Sequence, residues 1–217
     1  MVQTIQAKNV TLAELKTLFD LQLVTDDQFF REWQDELPEI TDFQKRQLDQ
    51  IKAGYFNLLE YPPMLEKTIS LSIVSPLLFA GEFYLHPFYI KPEKSVEISE
   101  EDEGVIIKGS IDTLVLKDQF WLMVIESKRV SFSIEAGLAQ ILAYMLANPN
   151  PDKPSYGMIA TGGSFIFVKL VNGESPRYTT SDLFGISNRT NNLYDVLRIL
   201  KRLSQIAASN ESLVISH

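Results

Sequence analysis

The chain has 217 residues, 45% hydrophobic and 22% charged, with 20 Lys and Arg against 28 Asp and Glu for a formal net charge of -8. That composition suits one substantial core, or a core with an appendage, and zero cysteines exclude a disulfide framework, a thiolate zinc site and a cysteine nucleophile. The N-terminus lacks a signal-like pattern and no apolar run approaches the roughly 20 residues of a membrane span, so no membrane is expected and the cytoplasm is the expected location.

Three Thr-x-x-Glu/Gln patterns predict helix starts in the first sixty residues: Thr11 with Glu14, Thr25 with Gln28, and Thr41 with Gln44. Apolar residues recur near helical spacing in the same stretch, as Leu12, Leu15, Leu18 and Phe19, then Phe29, Phe30 and Trp33, then Leu48, Ile51, Tyr55 and Leu58. The expectation is three helices forming an N-terminal cap or subdomain over residues 1–60, with a main domain over 61–217. Tyr61-Pro62-Pro63 punctuates the chain, and Met64 to Val74 is expected to be a helix that ends before Pro76, since proline disfavours helical geometry in its predecessor. Phe83 to Ile90 is rich in strand-favouring residues. The acidic stretch Glu93 to Glu103 reads as a solvated loop or strand edge, because closely spaced like charges repel. Two β-like runs follow, Val105 to Leu116 and Phe120 to Ile125. Ser133 to Asn148 reads as a helix with Ile134, Leu138, Ile141, Leu142 and Met145 on one face. Strands Tyr156 to Thr161 and Phe165 to Val171 flank a Gly162-Gly163-Ser164 turn. A last helix, Asn192 to Ala208, would bury Leu193, Val196, Leu197 and Leu200.

Two histidines, His86 and His217, are too few for a histidine metal cluster. Any metal must then rest mainly on carboxylates and carbonyls, which suits Mg2+, with Mn2+ as a substitute. The segment from Gly109 to Lys128 draws attention to Asp112, Glu126 and Lys128. Glu126 and Lys128 are two apart on a strand and share a face, after an apolar run where a buried charge is costly. With a hairpin turn at Asp118-Gln119-Phe120, Leu116 would face Leu122, Leu114 would face Val124, and Asp112 would face Glu126. A slip of one residue would send the two carboxylates to opposite faces. Facing carboxylates repel unless a proton or a cation lies between them. A metal held by Asp112, Glu126 and the Ser127 carbonyl would activate water, and Lys128 would orient it and stabilise developing negative charge. The alternative for Lys128 is a structural salt bridge to either carboxylate. Arg129, Lys153, Lys169 and Arg177 are candidate phosphate contacts or an ordinary solvated surface.

Asp112 followed by Glu126-Ser127-Lys128 resembles the PD-(D/E)xK nuclease superfamily, over roughly residues 60 to 172, and most of all the N-terminal nuclease domain of type I restriction enzyme R subunits. The resemblance implies a restriction-endonuclease-like core, a central mixed β-sheet flanked by helices, here preceded by the helical cap. It also implies that a helical acid supports the metal. Glu66 occupies that place, with Glu60 as a competitor and an ordinary surface carboxylate as the bland alternative. Gln140 and Tyr144 match the Gln-x-x-x-Tyr motif of related nucleases, and at i and i+4 they share one helix side. Gln140 would position substrate or water, with Tyr144 beside it. Ile111 replaces the proline that often precedes the aspartate, and no Gly-Lys-Thr/Ser phosphate loop is present. The implied function is a Mg-dependent endonuclease hydrolysing DNA, in restriction-modification or DNA repair, with homodimerisation as the simplest way to cut two strands. RNA, damaged DNA or branched DNA are other substrates the fold allows. The alternative is a catalytically idle binding or assembly module of the same fold, meeting a protein partner through its N-terminal helices.

Overall fold

The computed structural model of the protein describes residues 3–61, 65–100, 105–117, 120–128 and 134–209. The chain enters through β1 (Gln3–Gln6) and turns into α1 (Leu12–Phe19). There the Glu14 amide donates to the Thr11 hydroxyl at 3.2 Å and the Thr11 amide donates to the Glu14 carboxylate at 2.7 Å. Two of the amides left unbonded at a helix start are satisfied reciprocally. A two-residue strand, β2 (Gln22–Leu23), follows. The same device starts α2 (Asp42–Leu59) at Thr41, where Gln44 also donates to the buried Ala80 carbonyl at 2.9 Å.

Thr25 behaves differently, and the helix expected there is absent. The Gln28 amide is taken by the Asp26 side chain at 2.9 Å, so a local Asx turn replaces the cap. The segment continues as turns with one 3-10 turn at Arg31–Trp33. Pro76 also departs from expectation. Helical segments α3 (Glu66–Ile69) and α4 (Ser75–Ala80) are joined by a π turn over Ser70–Val74, so the helix passes through the proline. In a regular α-helix the Pro76 ring would press on the Ser72 carbonyl; the wider turn just ahead of it relieves that clash.

The remaining elements are β3 (Phe88–Glu100), β4 (Val105–Lys117), β5 (Phe120–Lys128), α5 (Ile134–Leu146), β6 (Ser155–Thr161), β7 (Ser164–Val171), β8 (Arg177–Thr180), β9 (Phe184–Gly185) and α6 (Leu193–Ser209). Together with β1 and β2, these strands build one mixed sheet of nine strands among the described residues. β3 is its edge, antiparallel to β4 from Phe88 opposite Lys117 to Glu100 opposite Val105. The acidic stretch through Glu100 is therefore an edge strand, a place where charge suppresses unwanted pairing; its last residues lie outside the described ones. The other side of β4 is shared end to end. β1 runs parallel to it along Val105–Lys108, and β5 runs antiparallel along Thr113–Lys117. β5 continues parallel to β6, β6 and β7 form a hairpin across Gly162-Gly163, and β8 carries β2 at the far edge. The turn residues Asp118 and Gln119 lie outside the described residues, and Phe120 belongs to β5.

Helices cover both faces. On one face Ile107, Ile111 and Leu114 pack with Leu15 of α1 and with Ile141 and Leu142 of α5. On the other, Val115, Met123 and Ile125 pack with Ile51 of α2, Ile69 and Leu77 of α3 and α4, and Leu197 of α6. Each such aliphatic side chain contributes roughly 1.5–3 kcal/mol on burial. The first sixty residues supply β1 and β2 to the sheet and α1 and α2 to its opposite faces, so they share both clusters with the rest of the chain. Gly157 of β6 lets α5 approach closely, since a Cβ there would lie 2.8 Å from Ile141 and 2.9 Å from Met145. Among the described residues no helix is long and apolar enough to cross a membrane.

Candidate functional site

The site begins with an irregularity in the sheet. Along β4, Val105, Ile107 and Ile111 belong to the cluster under α5, and then Leu114 and Leu116 do. The alternation of a strand thus changes phase between Ile111 and Leu114. Asp112 sits at that change. On β3, Glu93 falls opposite it in register, between the pairs Pro92–Thr113 and Lys94–Ile111, and has a left-handed φ of 50°. On the other side of β4, the pairing with β1 has ended at Lys108 and that with β5 begins at Thr113. The Asp112 carboxylate bridges this gap: Ser127 of β5 donates its backbone amide to Oδ2 at 2.8 Å.

The β4–β5 register agrees with expectation where it matters. Leu114 faces Val124 and Thr113 faces Ile125, and continuing that count one step brings Asp112 level with Glu126. At the turn end the expectation fails, because Leu116 faces Trp121 instead of Leu122 across a bulge between Val115 and Leu116. A bulge inserts one unpaired residue and shifts everything beyond it. Here the shift lies on the turn side, so the carboxylates keep their places.

Glu126, Ser127 and Lys128 are all buried, and α5 lies over them. Lys128 Nζ is 2.6 Å from Glu126 Oε1, and Gln140 Nε2 donates to the same oxygen at 2.6 Å. The second proton of the Gln140 amide goes to the Tyr144 hydroxyl at 2.8 Å. The helical i, i+4 pair therefore forms a relay ending on Glu126, with both amide protons committed to protein groups. Tyr144 reaches this position over Gly109, where a Cβ would lie 2.7 Å from its ring.

Charge is crowded here. Burial, then the Asp112 charge, pushes the Glu126 carboxyl up to about 8, with Lys128 pulling the other way. Burial likewise raises Asp112, opposed by the Ser127 amide and Lys128 and reinforced by Glu66 and Glu93. Tyr144 is pushed up to about 12 by burial and by the Glu126 charge. Glu126 Oε2 is buried without a hydrogen-bond partner, an arrangement that is costly unless a proton or cation satisfies it. A hard cation fits this donor set: two carboxylates raised above their usual range chiefly by burial, one with an orphaned oxygen. Among the described residues, no three His, Asp or Glu side chains stand close enough to hold an ion together. A cation would therefore rest on Asp112 and Glu126 with Ser127 alongside, leaving several positions to water as Mg2+ commonly does. Glu66 is exposed on α3 and acts on Asp112 through space.

Asp112 opens onto a cleft of about 500 Å³, which Glu93, Lys67 and Tyr84 also line. In the sequence Glu93 is legible only as part of an acidic edge. Pro92 before it was the available signal, since proline in a strand marks an irregular edge. Lys169, a candidate phosphate contact by sequence, is instead internal: it pairs with Glu32 at 2.5 Å and donates to the Phe29 carbonyl at 2.8 Å. Arg177 lies over the Phe29 ring, and Arg129 falls outside the described residues. No known family model matches the chain, and no curated protein is significantly similar to it.

Proposed function

We propose that the protein is a metal-dependent endonuclease of the PD-(D/E)xK kind, with a restriction-endonuclease-like core, hydrolysing DNA phosphodiester bonds. The observation that carries this reading is the convergence of Asp112, Glu126, Lys128, Gln140 and Tyr144 at the point where β5 parts from β4. Asp112, Glu126 and the Ser127 carbonyl would hold Mg2+, with Mn2+ as a substitute and Glu66 supporting from α3. When bound, the cation supplies an acidified water and neutralises charge on the scissile phosphate. Lys128, already held at the carboxylates, orients water and stabilises negative charge developing on phosphate oxygens. Gln140 and Tyr144 fix the Glu126 carboxylate by hydrogen bonding and so act as positioning residues. The Ser127 amide does the same for Asp112.

A second reading is a catalytically idle module of the same fold. Its support is the direct Lys128–Glu126 pair, which already satisfies one oxygen without metal. The deciding experiment is cleavage of supercoiled plasmid and single-stranded DNA with Mg2+ or Mn2+, with EDTA, and with Asp112→Ala and Lys128→Ala. The expected result is metal-dependent cleavage reduced at least about a hundredfold in each variant. Calorimetric metal binding that needs Asp112, without cleavage of either substrate, would select the idle module. No metal binding at all would sink the site.

A further inference from the structure

The cleft at Asp112 does not end there. Leu71, Ser75 and Tyr84 line it, and the same three residues line a second hollow of about 590 Å³ between α2 and the α3–α4 helix. The two cavities therefore adjoin along a shared wall, and together they make a groove of which the first hollow reaches Asp112. Its surface is unusual for an acidic protein. Phe79 is 64% and Tyr84 47% exposed. Their ring centroids are 6.5 Å apart with planes tilted by 45°, so neither ring stacks on the other. The Tyr84 hydroxyl is tethered to Ser75 at 3.3 Å, which holds that ring at the junction of the two hollows. Amide groups of Gln47 and Gln50 line the inner hollow.

We propose that this groove is the track for single-stranded DNA, an inference that rests on the nuclease reading above. Three observations select that occupant. First, the hollow lined by Tyr84 reaches Asp112, as the path of a scissile strand must. Second, exposed aromatic rings offer stacking platforms to bases of any sequence, and such platforms carry much of the affinity for unpaired strands. Bases inside a duplex present only their edges, so Phe79 and Tyr84 would find no faces there. Third, the second hollow is lined by apolar, hydroxyl and amide groups, which suit the faces and edges of unpaired bases more than the paired phosphates from which duplex binding largely draws its affinity. Gln47 and Gln50 match the hydrogen-bonding edges that unpaired bases leave open.

The test separates binding from cleavage. Fluorescence anisotropy of a labelled oligothymidine and of a duplex of equal length is measured in EDTA, with wild type, Phe79→Ala, Tyr84→Ala and Tyr84→Phe. Both residues are exposed, and circular dichroism checks that the variants fold. The expected result is preferential binding of the single strand, weakened about tenfold or more by each alanine substitution and largely kept by Tyr84→Phe. Equal affinity for duplex and single strand, no binding, or binding indifferent to both alanine substitutions would overturn the proposal. Metal-dependent plasmid cleavage without single-strand binding would remove the groove and leave the nuclease reading. Single-strand binding through Phe79 and Tyr84 with no cleavage of any substrate would do the reverse.

Discussion

Two largely buried lysine–glutamate pairs in this molecule look alike and behave differently. Lys128 meets Glu126 at 2.6 Å under α5, and Lys169 meets Glu32 at 2.5 Å on the opposite face of the sheet. Each has a tyrosine nearby, Tyr144 through Gln140 in the first and Tyr156 directly on Glu32 at 3.2 Å in the second. Each glutamate even keeps one buried oxygen without a hydrogen bond. The neighbours make the difference. Lys169 also donates to the Phe29 carbonyl and lies over the rings of Phe29 and Phe30, at 5.3 and 5.9 Å. Its charge is thus shared among a carboxylate, a carbonyl and two aromatic faces. Lys128 instead serves a glutamate that already faces Asp112, so one ammonium must offset two carboxylates. An ion pair that is satisfied holds a fold together, and one left with surplus negative charge is suited to receive a cation.

The largest effect expected from this contrast is on activity. Lys128→Ala should abolish metal-dependent cleavage, while Lys169→Met should leave the rate per folded molecule within a few fold; plasmid cleavage normalised to folded fraction measures both. Loss of cleavage in Lys169→Met alone would invert the assignment of the two pairs.

The next effect is on stability, with opposite signs. Glu32→Gln strips Lys169 of its carboxylate and should cost about 2 kcal/mol or more in urea unfolding. Glu126→Gln relieves the repulsion with Asp112 and should stabilise the metal-free protein by about 1–2 kcal/mol near pH 8. The same substitution bears on pH dependence. An acid raised in the folded state binds its proton more tightly there than in the unfolded chain, so its stabilisation is complete at low pH and is lost as pH rises through the folded value. For Glu126 that loss runs from its ordinary range up to about 8. In EDTA the wild-type Tm should therefore fall between about pH 6 and pH 9 by more than that of Glu126→Gln, and Mg2+ at the upper end should restore it. A parallel decline in both proteins would show that Glu126 is not the responsible group.

The smallest effects belong to the tyrosines. Tyr156→Phe deletes one hydrogen bond to Glu32 and should cost about 1 kcal/mol with no change in cleavage. Tyr144→Phe should cost about as much but also slow cleavage a few fold, because the freed Gln140 amide holds Glu126 less firmly. Equal kinetics in the two variants would separate Tyr144 from the site.

Legibility in the sequence followed the range of the interaction. The caps at Thr11 and Thr41 join residues three apart and were readable; at Thr25 an equally local rival, Asp26, took the Gln28 amide. The passage of a helix through Pro76 was hidden, because nothing in the residues announces a π turn. The pairing of Leu114 with Val124 followed from apolar alternation around a short turn. The bulge beside Leu116, the four residues of β1 and the two of β2 did not, since such short strands exist only by docking on partners distant in the chain.

By itself the sequence determined an alternation of helical and strand-forming segments, the apolar faces that make a mixed sheet flanked by helices, and a same-face Glu126–Lys128 pair, because periodicity and capping act within a few residues. Tertiary structure alone decided that Asp112 fills the gap where β5 leaves β4, that Gln140 and Tyr144 descend on Glu126 over Gly109, that Glu93 stands opposite Asp112, and that Lys169 is internal. Burial and proximity of charge are properties of neighbours in space, and those neighbours are chosen only when the sheet closes over residues far apart in the chain.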